Sequence, residues 1–234
     1  MSLVASRRIS RIINLLRRRF GRLRFAKERD AVGELVKTIL SQNTSDVTSL
    51  RAFANLKKRF GSWERVRKAR VSVIRRRIKS AGLSNIKAPR IKGALNEIVR
   101  RRGSLDLGFL GRMTTEDGYA FLRSIKGVGP KTAAIVLLFS FDRPIMPVDT
   151  HIFRVTRRLG LIGPQMSREK AQEVLTAATP AHAIKEFHVH LIMHGRQICT
   201  ARDPKCPICN LKTSCKYYGD RYAGQTAKDR KKRI

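Results

Sequence analysis

The chain has 234 residues, of which 51 are Lys or Arg and 17 are Asp or Glu, so its formal net charge is +34. Hydrophobic residues make up 42% of the chain, which excludes a disordered basic protein, and the longest uninterrupted apolar run, Ala133–Phe139, is far too short to span a membrane. The composition therefore predicts a folded protein with an acidic partner, and nucleic acid is the first candidate.

The first 24 residues are rich in arginine and contain no acid, a composition that also occurs in mitochondrial transit peptides. Their apolar residues fall at spacings of three and four, which is typical of a helix with one buried face. These residues are Ile9, Ile12, Ile13, Leu16 and Phe20. We therefore expect a structural first helix. Because no secretory signal follows the basic start, we expect a cytoplasmic, nucleoid-associated protein, or a nuclear or mitochondrial one in a eukaryote.

Helical spacing of apolar residues continues along the rest of the chain. The clearest groups are Leu35, Ile39 and Leu40; Phe53, Leu56 and Phe60; Val66, Val73, Ile74 and Ile78; and Ile91, Leu95, Ile98 and Val99. A glycine follows several of these groups, at the place where a helix often ends in a left-handed residue. Alternating segments typical of strands are absent from the sequence. The pattern predicts an all-α protein of about ten helices.

Residues 121–141 have the sequence of two helices joined by a tight turn. The first helix is expected to end near Lys126, Gly127-Val128-Gly129 form the turn, and Pro130 begins the second helix, where proline is favoured. The two glycines allow a ligand to approach the backbone closely, and the free amides at the start of the second helix point outward. This hairpin is therefore a candidate site for a DNA phosphate.

Two residues near this hairpin carry potential chemistry. Lys131 lies in the first turn of the second helix, where the positive end of the helix dipole disfavours an ammonium group. An uncharged amine can attack C1′ of a damaged nucleotide and form a Schiff base, although a lysine here can also simply bind phosphate. Asp149 precedes another apolar helical group and can act as a helix cap, as a proton acceptor, or as both.

All four cysteines fall within 17 residues, in a segment that we call the cysteine loop (residues 199–215). They are Cys199, Cys206, Cys209 and Cys215. Disulfides are not expected without a secretory signal, so a metal group is the better explanation. Because Cys206–Cys209 is the only short CxxC pair, the spacing favours an iron–sulfur cluster and leaves zinc open.

Several motifs together resemble one family, the endonuclease III family of helix-hairpin-helix DNA glycosylases with an iron–sulfur cluster. The motifs are Leu40-Ser41-Gln42-Asn43-Thr44, Gly127-Val128-Gly129-Pro130-Lys131-Thr132-Ala133, Val148–Val155, His194-Gly195-Arg196 and the x6, x2, x5 spacing of the cysteines. The resemblance extends along nearly the whole chain, and in this family the same cysteine spacing holds a [4Fe-4S] cluster.

The resemblance implies a two-lobed fold. A six-helix barrel containing the hairpin would comprise residues 25–143, a cluster lobe would comprise residues 1–24 and 144–218, and residues 219–234 would form a basic C-terminal tail. It also implies a monomer that acts on duplex DNA carrying a damaged base or an abasic site.

The resemblance further implies roles for individual residues. Lys131 matches the Schiff-base lysine of the family, Asp149 its essential aspartate, and Gln42 the residue that fills the gap left by an everted nucleotide. The DNA contacts would come from Gln42 and the hairpin residues Gly127, Val128, Gly129, Lys131 and Thr132. Typical members remove oxidised pyrimidines and then nick the strand 3′ to the abasic site by β-elimination.

Some features leave alternatives open. Many relatives have an acid one place closer to the glutamine than Asp46, which leaves the role of Asp46 open and makes Asn43 an alternative to Gln42. Related adenine glycosylases lack the lysine at 131 and carry glutamate at the position of Lys37, so that branch is disfavoured. A monofunctional or mismatch (thymine or uracil) glycosylase stays possible, and a non-enzymatic DNA-binding protein is a remote alternative because it would need neither Lys131 nor Asp149.

Overall fold

The computed structural model describes residues 3–26 and 30–222, and every regular element in these residues is helical. The α-helices are α1 (Leu3–Phe20), α2 (Ala31–Ser41), α3 (Asp46–Phe60), α4 (Trp63–Lys68), α5 (Val71–Arg77), α6 (Ser84–Arg102), α7 (Thr115–Arg123), α8 (Pro130–Phe141), α9 (Thr150–Leu159), α10 (Arg168–Ala178) and α11 (Ile184–Gln197). Short 3₁₀ helices occur at Lys79–Ala81, Gly108–Arg112, Ala181–Ala183, Cys206–Ile208 and Lys212–Ser214, and residues 216–222 are also helical. The predicted all-α class is confirmed.

Contacts divide the chain into two compact units. One unit is Ala26–Arg143, which contains α2 to α8, and the other combines Met1–Phe25 with Pro144–Ile234. Of the expected C-terminal tail, residues 219–222 continue the last helical segment, and residues 223–234 lie outside the described part. None of the described helices has both the length and the apolar character that crossing a bilayer requires.

Helix α2 is the centre of the first unit. Nine of its eleven residues are buried, as expected for a helix surrounded by others, and it packs against α3, α6 and α8. Its N-terminus is fixed by Asp30, whose Oδ1 accepts a hydrogen bond from the Gly33 amide at 2.7 Å and whose carboxylate also accepts from Trp63 and Lys57. Its C-terminus is capped by Gln42. The burial of α2 thus determines where Gln42 lies.

The second unit is built around α11, which packs against α9 and α1. The apolar face predicted for the first helix is buried at Ile9, Ile12, Ile13 and Leu16. Glu186 of α11 joins the end of α1 to the following segment, because it pairs with Arg17 at 2.6 Å and accepts from the Leu23 amide at 3.1 Å. This packing holds α9 in place through its broad contact with α11.

Many cations in both units bind main-chain carbonyl oxygens instead of carboxylates. The clearest examples are Arg8 to the carbonyls of Leu159, Gly160 and Ser214; Lys87 to Leu40 and Ala81; Lys92 to Ala69; Arg143 to Gly111 and Met113; Arg154 to Gly195 and Cys199; and Arg158 to Thr200 and Ala201. Several of these carbonyls end a helix, where the dipole favours a cation. These six cations are therefore held by main-chain oxygens and do not need acidic partners.

Candidate functional site

The hairpin predicted at residues 121–141 is present, with a longer turn than expected. Helix α7 ends at Arg123 instead of near Lys126, because residues 124–128 fold back as tight turns in which the Val128 amide donates to the Ile125 carbonyl at 3.0 Å. Val128 is only 3% exposed, so its side chain fastens the turn to the core. Gly127 has a φ of +88°, a left-handed conformation that a residue with a side chain rarely adopts.

The start of α8 is open to a ligand. Helix α8 begins at Pro130, as predicted, and no side chain caps its N-terminus at Gly129. A Cβ atom on Gly129 would meet nothing within 4 Å. The first amides of a helix have no partner within it and carry the positive end of its dipole. This end of α8 can accordingly accept an anion such as a phosphate.

Lys131 lies in this first turn of α8 and is half-buried. Its Nζ makes no hydrogen bond or ion pair to any residue that the structure describes. The neighbouring Thr132 is buried, and its hydroxyl accepts a hydrogen bond from the Gln42 amide at 3.3 Å. An amine without an internal partner, at the open end of a helix, is available to react with a bound substrate.

Gln42 connects three elements of this unit. Its Nε2 donates to Thr132 on α8, and its Oε1 accepts from Arg90 Nη1 on α6 at 3.1 Å. The neighbouring Asn43 is exposed and has a φ of +52°. Of the two residues left open by the sequence, Gln42 is therefore the one that the structure brings next to the start of α8. Asp46 lies in the first turn of α3, after the N-cap Ser45, where the helix dipole favours a carboxylate.

Leu83 was not predicted as a functional residue. It is 50% exposed and has a φ of +47°, an unfavourable conformation for a residue with a side chain. The preceding Gly82 lies beside the Gln42 loop, because a Cβ atom on it would be 3.9 Å from Thr44 Oγ1. An exposed leucine held in a strained turn is suited to insertion between bases. The only sequence signal for a turn at Leu83 is the Gly82-Leu83 pair itself.

In the second unit, Asp149 is the N-cap of α9. Its Oδ1 accepts from the Ile152 amide at 2.8 Å, and its side chain is only partly buried. The capping role inferred from the sequence is therefore observed. The carboxylate keeps a second oxygen for other chemistry, so that capping and proton transfer do not exclude each other.

The four cysteines all line one cavity, together with His194, Arg158 and Leu211. Across residues 3–26 and 30–222, no group of three or more His, Cys, Asp or Glu side chains could hold a single metal ion. Two of the sulfurs receive hydrogen bonds: Arg158 Nη1 donates to Cys199 Sγ at 3.3 Å, and the Leu211 amide donates to Cys209 Sγ at 3.4 Å. Such bonds to sulfur are typical around thiolate ligands.

Burial affects the chemistry of these thiols. It raises the pKa of Cys209 to about 11 and also raises the pKa values of Cys206 and Cys215. Thiolates in this cavity need a compensating positive charge, which a bound metal group supplies. The donor set therefore fits a cluster with four cysteine ligands.

Asp149 caps helix α9, and side chains of the same helix hold the cysteine loop. Arg154 donates to the carbonyls of Gly195 and Cys199 at 2.7 and 3.0 Å. One turn later, Arg158 donates to the carbonyls of Thr200 and Ala201 at 2.6 and 2.8 Å, and its guanidinium stacks 4.7 Å from the Tyr217 ring centroid. The start of the cysteine loop is therefore fixed to the helix that Asp149 begins.

Comparisons with known proteins agree with these motifs. The profile of HhH-GPD superfamily base excision DNA repair proteins matches residues 36–181. The endonuclease III of Sulfolobus acidocaldarius is 36% identical over 196 residues, which are 83% of this chain and 85% of that protein.

Solved structures show the same architecture. A non-covalent endonuclease III–DNA complex superimposes with a TM-score of 0.79 at 23% identity, covering 93% of this chain and 98% of that one. A thermostable thymine-DNA glycosylase gives a TM-score of 0.75 at 23% identity, covering 92% and 98%. At these identities, the structural likeness establishes the fold alone.

Proposed function

The chain belongs to the HhH-GPD superfamily of base excision DNA repair proteins, in the endonuclease III family, and we propose that it is a bifunctional DNA glycosylase and abasic-site lyase. It acts as a monomer on duplex DNA and removes oxidised pyrimidines. The observation that carries this proposal is the amine of Lys131, which has no partner among the described residues and lies at the open start of α8. A protein that only binds the phosphates of DNA does not need a reactive amine at the start of α8.

The proposed reaction begins at the amine of Lys131. Its lone pair forms a bond to C1′ while the bond from C1′ to the base breaks, and the base leaves with that electron pair and takes up a proton. The sugar ring then opens at O4′, which is protonated, and an imine joins the lysine to C1′. Loss of a proton from C2′ forms a C2′–C3′ double bond and expels the 3′ phosphate. Hydrolysis of the imine releases Lys131.

Asp149 would act on the same substrate as a carboxylate. It accepts the proton that the lysine must lose, or it stabilises positive charge on the sugar as the base departs. Asp149 uses one oxygen as the cap of α9, and this contact fixes its orientation.

The segment around Gln42 would support the everted nucleotide. The Gln42 amide has donor and acceptor groups that can replace the lost base pairing, and the exposed Leu83 can wedge between bases. The start of α8 and the Gly127 turn would bind a backbone phosphate through main-chain amides. In this proposal, four hairpin residues form the turn and contact the phosphate, and Lys131 provides the reacting amine. The four residues are Gly127, Val128, Gly129 and Thr132.

A [4Fe-4S] cluster would be held by the four cysteines of the cysteine loop, Cys199, Cys206, Cys209 and Cys215. When bound, the cluster supplies the positive charge that buried thiolates require and ties the cysteine loop to one centre. This proposal is supported by the shared cavity, by the hydrogen bonds to two sulfurs and by the family of the chain.

A panel of duplexes, each with one lesion, tests the proposed function. Base release and strand cleavage are measured separately, before and after alkali. We expect release of oxidised pyrimidines with strand cleavage before alkali. The second candidate is the alternative that the sequence leaves open, a monofunctional mismatch enzyme. Release of thymine or uracil from mismatches, with breakage only after alkali, would establish that candidate instead.

The affinity for undamaged duplex DNA should depend steeply on salt. If six to ten phosphates are contacted, the association constant falls by roughly 10³–10⁵ between 50 and 200 mM salt, because bound cations are released from the DNA. Fluorescence anisotropy with a labelled duplex measures this slope. A flat response would show that the +34 charge serves a different partner.

The purified protein should be yellow-brown, with the broad visible absorption of an iron–sulfur cluster. Replacing Cys199 by serine should remove most of this absorption and the bound iron, since a ligand is lost. Iron and zinc analysis provides the check. A colourless wild-type protein with one zinc per chain would contradict the cluster.

A further inference from the structure

Lys87 is a charged residue in the core of the first unit. Its side chain is only 1% exposed, and its Nζ donates to the carbonyl oxygens of Leu40 at 2.7 Å and Ala81 at 2.8 Å. Burial lowers the pKa of Lys87, so the charged form is costly here unless its hydrogen bonds are good. Both carbonyls lie at the end of a helical segment, α2 or the 3₁₀ helix Lys79–Ala81, where the helix dipole favours a cation.

The carbonyls of Leu40 and Ala81 lie equally far along the chain from the two side chains that are proposed to enter the duplex. Leu40 is two residues before Gln42, and Ala81 is two residues before Leu83. One ammonium group therefore joins the backbones that lead to the two side chains proposed to enter the duplex. A buried apolar side chain would fill the space but could not tie two backbones together, so a lysine at this position specifies their relative placement.

Arg90 lies on the same helix, three residues after Lys87, and contacts Gln42 itself. Its Nη1 donates to Gln42 Oε1 at 3.1 Å. An arginine can only donate, so the amide oxygen of Gln42 must face it, and the amide nitrogen is left to donate to Thr132. The stem of Arg90 also covers the hairpin turn, since a Cβ atom on Gly127 would lie 3.2 Å from Arg90 Cγ.

We infer that Lys87 and Arg90 are positioning residues that hold Gln42 in the place and orientation needed to fill the gap left by an everted nucleotide. This inference rests on the proposed function, because gap filling matters only if a nucleotide leaves the stack. Lys87 fixes the backbone and Arg90 fixes the amide. Preorganisation of this kind lowers the cost of ordering the loop when the duplex is engaged.

Three variants test the inference: Lys87→Met, Arg90→Gln and Arg90→Lys. The control is Lys92→Met, because Lys92 lies on the same helix and also donates to a main-chain carbonyl, that of Ala69, away from Gln42. Each protein is given a duplex with an abasic site and a single strand with the same site. The single strand needs no gap filling. Borohydride trapping rates are measured on both, and a 2-aminopurine next to the site in the duplex reports eversion.

We expect Lys87→Met and Arg90→Gln to slow eversion and trapping on the duplex by about 10- to 100-fold, the range for a misplaced group. Trapping on the single strand should stay within about twofold, and Lys92→Met should behave like the wild type on both substrates. Arg90→Lys should recover part of the duplex rate because, unlike the shorter and neutral glutamine, lysine keeps a cationic donor of similar reach. If Lys87→Met does not fold, the exposed Arg90 decides the outcome.

Equal losses on duplex and single strand, or a duplex loss no greater than that of Lys92→Met, would show that the two residues only stabilise the fold. Failure of the proposed function gives a different result, because the wild-type protein would then trap neither substrate.

Discussion

Replacing Lys131 by alanine should abolish the covalent adduct that borohydride traps on DNA and lower strand cleavage by at least about 10³-fold, the scale expected when a nucleophile is removed. Borohydride reduces the imine between the lysine and C1′, so no adduct can form without the amine. Because Lys131 Nζ has no partner among the described residues, the free energy of unfolding should change by no more than about 0.5 kcal/mol. Gel analysis of trapped product and a denaturant titration measure the two effects.

Lys126→Ala is the matched control for this prediction. Lys126 is an exposed lysine of the same hairpin, five residues earlier, so its loss removes the same charge without removing the proposed nucleophile. This variant should bind DNA somewhat more weakly and still form the adduct. Trapping by Lys131→Ala at the wild-type rate would rule out Lys131 as the Schiff-base residue.

Replacing Asp149 by asparagine should slow base release by about 10²–10⁴-fold, the usual effect of losing a proton-transfer group. Asparagine caps helices as well as aspartate does, so it can keep the hydrogen bond from the Ile152 amide, and stability should be nearly unchanged. Asp149→Ala removes both the proton-transfer group and the helix cap, so it should also lower the free energy of unfolding by about 1 kcal/mol. Single-turnover rates and melting curves separate the two contributions.

Ser167→Ala controls for the capping effect. Ser167 is the N-cap of α10 in the same unit and accepts from the Lys170 amide at 3.1 Å. Its loss should lower stability by a similar amount and leave base release unchanged. A wild-type rate for Asp149→Asn would mean that Asp149 serves only as a cap.

Much of the fold followed from the sequence because its signals were local. The stripe of Ile9, Ile12 and Leu16 and the N1 proline of α8 are set by residues close together in the chain, and both predictions are confirmed. The predicted end of the helix before the hairpin was wrong by three residues. Buried Ile125 and Val128 pull that segment into turns, and this tertiary effect overrides local propensity.

The likeness to endonuclease III came from motifs, and it is confirmed by the comparisons. The supporting residues were harder to find because their partners are distant in sequence. Arg90 and Gln42 are 48 residues apart in the sequence, and no local pattern predicts their contact. Lys87 has a local signal in the sequence, because it occupies the apolar stripe of α6 with Ile91 and Leu95, where a charged residue is unusual.

The pairing of cations with main-chain carbonyls has a consequence for how such a protein evolves. A carboxylate loses its charge in acid, as Glu186 would beside Arg17, whereas the carbonyls that hold Arg143 or Arg154 do not titrate. A new arginine can therefore be accommodated wherever the end of a helix is within reach, without a second mutation that supplies an acid. Selection for tighter binding to DNA can therefore raise the positive charge of the chain without a matching rise in its number of acids.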